Sequence, residues 1–193
     1  MGMVFFNKTT PANEVATILG AAGIVPNQTF VQIICVGGGR AGMQGAFGGD
    51  SGSMDIFQGL LPTLSYDVTV GLGGNIGSGL LAQPGASSFG NLVSAEGGQG
   101  QTGSGIYGNG GALVSIGNVG NAVSAPTGTG GSTASSSGMN VGNGGGGGGF
   151  PFPLSRHRGP RNGLGLGGGG GASGSGSQGG NTPGNDGGVI VCF

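Results

Sequence analysis

The chain has 193 residues, and 55 of them are glycine, which is about four times the usual share of about 7%. Five basic and six acidic residues leave a net charge of −1, and the mean hydropathy is +0.15. These values exclude a strongly charged disordered chain, and they speak against a protein that binds nucleic acid or a charged membrane surface.

The N-terminal residues 1–8 are too short and too weakly apolar for a secretory signal or a membrane span. The chain has only two cysteines, Cys35 and Cys192, and one histidine, His157. Such a set provides neither a disulfide framework nor a zinc site. We therefore expect synthesis in a cytoplasm, without an export signal.

The first predicted element is a short helix with Thr10 as its N-cap and Pro11 at its first helical position. Gly20 or Gly23 would end it. Its apolar residues fall on one face, at Val15, Ile18 and Leu19. The helix would either cover one end of a small core or dock onto another protein.

Five stretches have the composition of β-strands. The clearest is Phe30–Val36, whose nearly continuous β-branched and apolar residues imply burial on both faces. The stretch 65–70 alternates apolar and polar residues, as a half-buried strand does. The other candidates are 53–61, 188–193 and, more weakly, 88–95.

The C-terminal strand is expected to return and pair with Phe30–Val36, which would close a small β-sandwich. That pairing would bring Cys35 near Cys192. Because thiols stay reduced in a cytoplasm, two buried free thiols are the expected state.

Glycines recur at every third residue in several separate tracts, among them Gly39–Gly48, Gly71–Gly77, Gly97–Gly103, Gly105–Gly111 and Gly165–Gly174. A period of three is that of polyproline-II geometry, whose main-chain groups must bond to neighbouring segments. The tracts are too short and interrupted for collagen, so they predict a bundle of polyglycine-II helices. The alternative is a flexible linker, although linkers seldom carry apolar residues such as Leu113, Val114 and Ile116.

The motif Gly37-Gly38-Gly39-Arg40-Ala41-Gly42 matches the dinucleotide-binding pattern directly after a strand. That site also needs a helix to begin there, and residues 43–49 are too rich in glycine to form one. Asp50 and Asp55 are close in sequence, but we expect them to be solvated surface or turn residues. The sequence therefore predicts no enzyme, no cofactor and no metal site.

The most distinctive segment free of long glycine runs is 150–162. It gathers three of the five basic residues with two phenylalanines and three prolines. Aromatic and arginine side chains commonly anchor binding surfaces, and arginine pairs with carboxylate or phosphate groups. The receptor-contact candidates are Phe150, Phe152, Arg156, His157, Arg158 and Arg161. Alternatively, the segment is a packed corner with solvated arginines, or a contact between subunits.

Two further breaks in the glycine tracts, 80–84 and 121–126, are predicted to be turns between segments of the bundle. Turns of this kind would cluster at one end of the bundle. They would then form a surface together.

The order of these pieces resembles the glycine-rich domain of bacteriophage tail-fibre and tail-tip proteins. The matching stretches are 34–39, 61–62, 66–74, 85–90, 94–98 and 187–191. The resemblance covers about residues 24–193, and its most specific part is 66–98. It implies a small β-structured base with a polyglycine-II bundle, whose tip loops touch a host receptor. By this resemblance the loops are 80–84, 121–127 and 150–162, whereas the larger attachment domain of long-tail-fibre adhesins is missing.

We accordingly predict an all-β fold with one short N-terminal helix and a polyglycine-II extension. Residues 1–23 would form the N-terminal segment and a virion-docking element, residues 24–98 with 187–193 the base, and residues 99–186 the glycine-rich region. The predicted function is that of a virion structural protein, a tail-fibre or spike adhesin made in the host cytoplasm. The alternatives are a capsid spike or decoration protein without receptor specificity, and an ice-binding protein.

The predicted partners are other virion proteins and a host surface receptor or polysaccharide. Trimers are common among fibres and spikes, so a homotrimer is one expected assembly. Nucleic acid and membrane insertion are not expected.

Overall fold

A computed structural model describes residues 2–41, 52–74, 76–77, 80–81, 84–98, 123–124, 167 and 183–193. Its only helix in these ranges is α1 (Ala12–Ala21). The strands are β1 (Met3–Phe6), β2 (Phe30–Val36), β3 (Met54–Leu60), β4 (Val68–Thr69), β5 (Ile76–Gly77), β6 (Leu80–Leu81), β7 (Ser87–Phe89), β8 (Val93–Ala95), β9 (Val123–Ser124) and β10 (Gly188–Cys192). The predicted all-β class with one short helix is confirmed.

The strands form two main antiparallel sheets. The larger has the order β1-β10-β2-β3-β9, the smaller has the order β4-β7-β8, and β5 pairs with β6 in a separate hairpin. The predicted return of the C-terminal strand to β2 is confirmed, with Val189 opposite Cys35 and Cys192 opposite Gln32. β10 thereby ties β1 to the centre of the larger sheet.

One hydrophobic core lies between the two main sheets. Every second residue of β2 points into it, and Phe57 of β3 and Phe89 of β7 are the largest of its fully buried side chains. Val15 and Leu19 of α1 join the same core. The helix therefore packs against the core, which is one of the two roles predicted for it.

The start of α1 differs from the prediction. Pro11 occupies the N-cap position, and Thr10 does not cap the helix, because its hydroxyl donates to the Lys8 carbonyl at 2.9 Å. The cap comes from Asp67 beside β4, whose Oδ1 accepts a hydrogen bond from the Ala12 N–H at 2.9 Å. Thr10 instead bonds to Val68 through its main chain.

The end of α1 follows the expected glycine rule. Gly23 has a φ of 86°, the left-handed conformation that favours glycine. Its N–H bonds to the Gly20 carbonyl, and the Ile24 N–H bonds to the Leu19 carbonyl. This pair of bonds is the Schellman motif, which satisfies carbonyls at a helix end.

Two strand predictions and two turn predictions need correction. The stretch 88–95 is two strands, β7 and β8, because Gly90 turns the chain with a φ of 53°. The stretch 65–70 keeps its predicted alternation of buried and exposed residues, but only Val68–Thr69 pair as a strand. The predicted turns at 80–84 and 121–126 contain β6 and β9.

The cysteines do not approach each other as predicted, although both are buried free thiols as expected. Cys35 points into the core between the sheets, whereas Cys192 points to the outer face of the larger sheet. Successive residues of a strand point to opposite faces of the sheet. Val189 lies opposite Cys35 and shares its face, whereas Cys192, three residues further along β10, points to the other face. A disulfide between them is therefore excluded by the register.

We expect Asp67→Ala to lower the free energy of unfolding by about 1 kcal/mol, because the Ala12 N–H loses its cap. Asp67→Asn keeps an acceptor oxygen and should retain most of this stability. Urea unfolding of both variants checks the assignment. Equal losses in the two variants would contradict it.

Candidate functional site

The six predicted receptor-contact residues all fall within 150–162, which lies outside the described residues, as does most of 99–182. The structure brings together a different set, at one end of the two packed sheets. Here glycine-rich segments lie side by side, and we call this set the glycine layer. It comprises 37–39, 52, 71–74, 85, 97–98, 167 and 184–187.

The segment 37–39 lies at the centre of the glycine layer. Its amide groups donate to carbonyls of three other segments, from Gly37 to Ser53 at 3.0 Å, from Gly38 to Gly85 at 2.9 Å and from Gly39 to Asn185 at 2.8 Å. Its carbonyls accept from two more glycines, Gly98 at 2.9 Å and Gly74 at 2.7 Å. A strand within a sheet has two neighbours, whereas this segment bonds to five segments around it.

The main chains of the glycine layer approach too closely for side chains. A Cβ added at Gly37 would collide with the Glu96 carbonyl, and one added at Gly38 would collide with the Leu72 carbonyl. The same clash with main-chain atoms occurs at Gly52, Gly71, Gly73, Gly97, Gly167, Gly184 and Gly187. Main-chain atoms cannot rotate away as a flexible side chain can, so these positions require glycine.

Three short polar side chains fix the rim of the glycine layer. Ser87 Oγ accepts from the Gly71 N–H at 2.9 Å, and Asp186 Oδ1 accepts from the Gly73 N–H at 2.7 Å. The Ser53 hydroxyl donates to the Glu96 carbonyl at 2.9 Å. The first two bonds satisfy the amides of Gly71 and Gly73. The third adds to the bond that the Glu96 carbonyl accepts from the Ser53 N–H at 2.9 Å.

The glycine layer is also where the long glycine-rich region leaves and returns. Residues 97–98 precede that region, residues 184–187 span its C-terminal end, and both segments bond to 37–39. Gly167 also bonds within the glycine layer. Its N–H donates to the Asp186 carbonyl, and its carbonyl accepts from the Gly52 N–H. The residues at the two ends of the region are thus both bonded to the segment 37–39, which lies between them.

The first three residues of the dinucleotide-like motif do not offer free amides. The N–H groups of Gly37, Gly38 and Gly39 all bond to main-chain carbonyls of the chain itself. A phosphate site needs such groups to point at the ligand. This arrangement supports the prediction that the motif reflects the glycine tract.

Asp55 lies opposite Cys35 across β2 and β3, and it is 1% exposed. The prediction that Asp55 is a solvated residue is wrong. Its Oδ1 accepts from the Ile56 N–H at 2.9 Å, and its Oδ2 is buried without a hydrogen-bond partner. Burial raises the pKa of this carboxyl above its usual value. The sequence signal for this burial was the two-residue spacing of Asp55 from Phe57, which places both residues on the same face of a strand.

Burial also raises the pKa of the Cys35 thiol, and the nearby Asp55 carboxylate raises it further. The sulfur lies 3.9 Å from the Val93 carbonyl oxygen. The thiol therefore stays protonated, and a protonated buried thiol is a poor nucleophile.

The described residues contain no group of three or more His, Cys, Asp and Glu side chains placed to hold a metal ion. Within the same ranges no helix is long and apolar enough to span a membrane.

No protein-family model matches the chain, and no curated protein is similar to it in sequence. The resemblance to phage tail-fibre proteins stays a prediction.

We expect Gly38→Ala to lower the free energy of unfolding by about 1 to 3 kcal/mol, because the new methyl meets the Leu72 main chain. Gly20→Ala is the matched control. A methyl there contacts only Leu64 Cδ1 at 3.9 Å and should stabilise α1 by about 0.5 kcal/mol. Chemical unfolding measures both changes, and an undiminished stability of Gly38→Ala would contradict the close approach.

A second prediction concerns pH. The Asp55 pKa is raised from 3.8 in the folded protein, so the folded state binds the proton more tightly than the unfolded state. The contribution of Asp55 to stability is therefore fully present below the ordinary pKa of a carboxyl, and it is lost as the pH rises through the raised pKa. Asp55→Asn should remove this fall in stability, which urea unfolding across the acid and neutral range measures.

The control is Glu14→Gln, which removes an exposed carboxylate of a weak surface ion pair with Lys8. This variant should keep the fall in stability that Asp55 causes. Parallel pH profiles for the wild type and Asp55→Asn would show that Asp55 is not its source.

Proposed function

We propose that this chain is a structural protein of a bacteriophage virion, a tail-fibre or spike adhesin that contacts the host cell surface. In this proposal the two packed sheets are the base. Residues 99–186 form a stiff glycine-rich extension with contact loops. The observation that carries the proposal is the glycine layer, because its closely packed main chains form a platform from which the extension leaves and to which it returns.

The bonding of the glycine layer supports a polyglycine-II bundle in the extension. Such a bundle needs segments that bond sideways to several neighbours and approach without Cβ atoms. The segment 37–39 has both properties. The three-residue glycine spacing continues beyond the layer, from Gly97 to Gly100 and Gly103. Ordering glycine costs about 1 to 2 kcal/mol of main-chain entropy per residue, which only a dense lateral network offsets.

The segment 150–162 is the proposed contact loop. It carries Arg156, Arg158 and Arg161 in a chain that has only two other basic residues. Its prolines reduce the entropy lost on binding, and its two phenylalanines supply apolar anchors. Guanidinium groups pair with the carboxylates or phosphates of bacterial surface polysaccharides.

Binding without chemistry agrees with the described residues. Cys35 is a protonated, buried thiol, and Asp55 is a buried carboxyl with a raised pKa. Neither reaches solvent, so neither is placed to act on a ligand. The proposed role therefore rests on shape and on loop residues.

The test is binding of the fluorescently labelled protein to a panel of candidate host bacteria. The triple variant Arg156→Ser, Arg158→Ser and Arg161→Ser should lose strain-selective binding. Lys8→Ser removes a basic charge from the base, where Lys8 is 73% exposed, and it should bind like the wild type.

The deletion of 150–162 separates this function from its alternative. An adhesin should then still assemble into particles but lose adsorption. A purely structural spike or decoration protein should assemble and leave adsorption unchanged. If the wild type binds no susceptible strain even in its assembled form, the adhesin proposal fails.

A further inference from the structure

β1 is an edge strand of the larger sheet. Among the described residues, β10 pairs with one side of β1 and no strand pairs with its other side. Gly2 and Phe193 exchange two main-chain hydrogen bonds, at 2.6 and 3.0 Å. Because bonding direction alternates along a strand, Val4 also faces β10, and the N–H and C=O groups of Met3 and Phe5 point to the open side.

The open side of β1 is apolar as well as unpaired. Met3 is 60% exposed and Phe5 is 46% exposed, and both lie on the outer face of the larger sheet. Proteins usually protect edge strands with charge, proline, bulges or a covering segment. Residues 2–6 contain neither a charged residue nor proline, and the first charge along the chain is Lys8.

An added strand satisfies a row of outward N–H and C=O groups with direct main-chain hydrogen bonds. Within β1, only Met3 and Phe5 offer such groups. An antiparallel copy of β1 matches them when Met3 of one copy stands opposite Phe5 of the other, and the reverse. This register makes four main-chain hydrogen bonds and places Val4 opposite Val4 on the two-fold axis. The strand is thus complementary to itself.

We propose that two copies of this chain pair through their β1 strands in this antiparallel register. The two five-stranded sheets then join into one continuous sheet across the two-fold axis. The Met3 and Phe5 side chains of both copies form one apolar cluster on its outer face. Lys8 lies outside the paired residues, and the net charge of −1 per chain gives little repulsion.

The first measurement is the mass of the full-length protein by light scattering over a concentration series. The proposal requires a species of about twice 18.1 kDa. The double variant Met3→Lys and Phe5→Lys sets like charges opposite each other in this register, so it should be monomeric. Circular dichroism and thermal unfolding establish that this variant is folded.

A charge-complementary variant tests the register. Met3→Lys with Phe5→Glu places opposite charges at both cross-strand pairs, so the dimer should persist and weaken with added salt. The control Phe30→Lys with Leu60→Lys changes two exposed apolar residues on the same face, which lie on β2 and β3 and not on the β1 edge. It should leave the mass of the dimer unchanged.

Cross-linking locates the axis independently. Val4→Cys places two thiols directly opposite each other at a non-hydrogen-bonded pair, where the Cα atoms lie about 4.5 Å apart, within disulfide reach. This variant should give a covalent dimer on oxidation. Met3→Cys should not, because Met3 faces Phe5 of the other copy.

Three outcomes would overturn the proposal. These are a monomeric wild type at every concentration, a trimer, and a dimer that survives Met3→Lys with Phe5→Lys. None of them bears on host binding, which concerns residues 150–162. Failure here is therefore distinct from failure of the adhesin proposal.

Discussion

The close approach of main chains in the glycine layer is the constraint on which the rest of the structure depends. Segment 37–39 continues directly from β2, and 187 leads directly into β10. The central strands of the larger sheet therefore end in the layer. Ser87, the first residue of β7, bonds to Gly71 and so connects the smaller sheet to it. A side chain at a point of close approach, such as Gly37, Gly38 or Gly187, would push these strands apart.

The same constraint explains an unusual feature of β2, which is buried on both faces. Val31, Ile33 and Cys35 face the core, whereas Ile34 and Val36 are buried on the outer side. Gly167 lies against this outer side, since a Cβ there would meet the Gly37 carbonyl and the Val36 side chain. A glycine main chain can thus cover part of a sheet face, here at Val36, without adding a side chain of its own.

The sequence allowed accurate prediction where the signal was local and strong. β2 was predicted with its observed bounds because all of its seven residues except Gln32 are apolar, and four of them are β-branched. Gly23 was one of the two expected helix stops because a left-handed residue there favours glycine. The pairing of β10 with β2 could be predicted because both strands are strongly apolar, and pairing within one sheet lets both bury their side chains in the same core.

The failures share a different physical cause, which is contact between residues far apart in sequence. Asp67 caps α1 from 55 residues away, so Thr10 was a plausible but wrong cap. β1 has only four residues and an exposed outer side, so its short pattern carried no clear period. The burial of Asp55 depends on contacts across the sheets, because its spacing from Phe57 indicates a shared face of the strand but not how deeply that face is buried.

A scaffold built from main-chain bonds also has a consequence for loops. In the glycine layer, recognition between segments uses N–H and C=O groups, which every residue except proline carries. The residue-specific requirements are the missing Cβ at the points of closest approach and the side-chain bonds of Ser53, Ser87 and Asp186 at the rim. The few charged and aromatic side chains of this chain can then concentrate in segments such as 150–162 without a cost to the packing of the base. A rigid support with freely variable loops is what a proposed host-contact role demands.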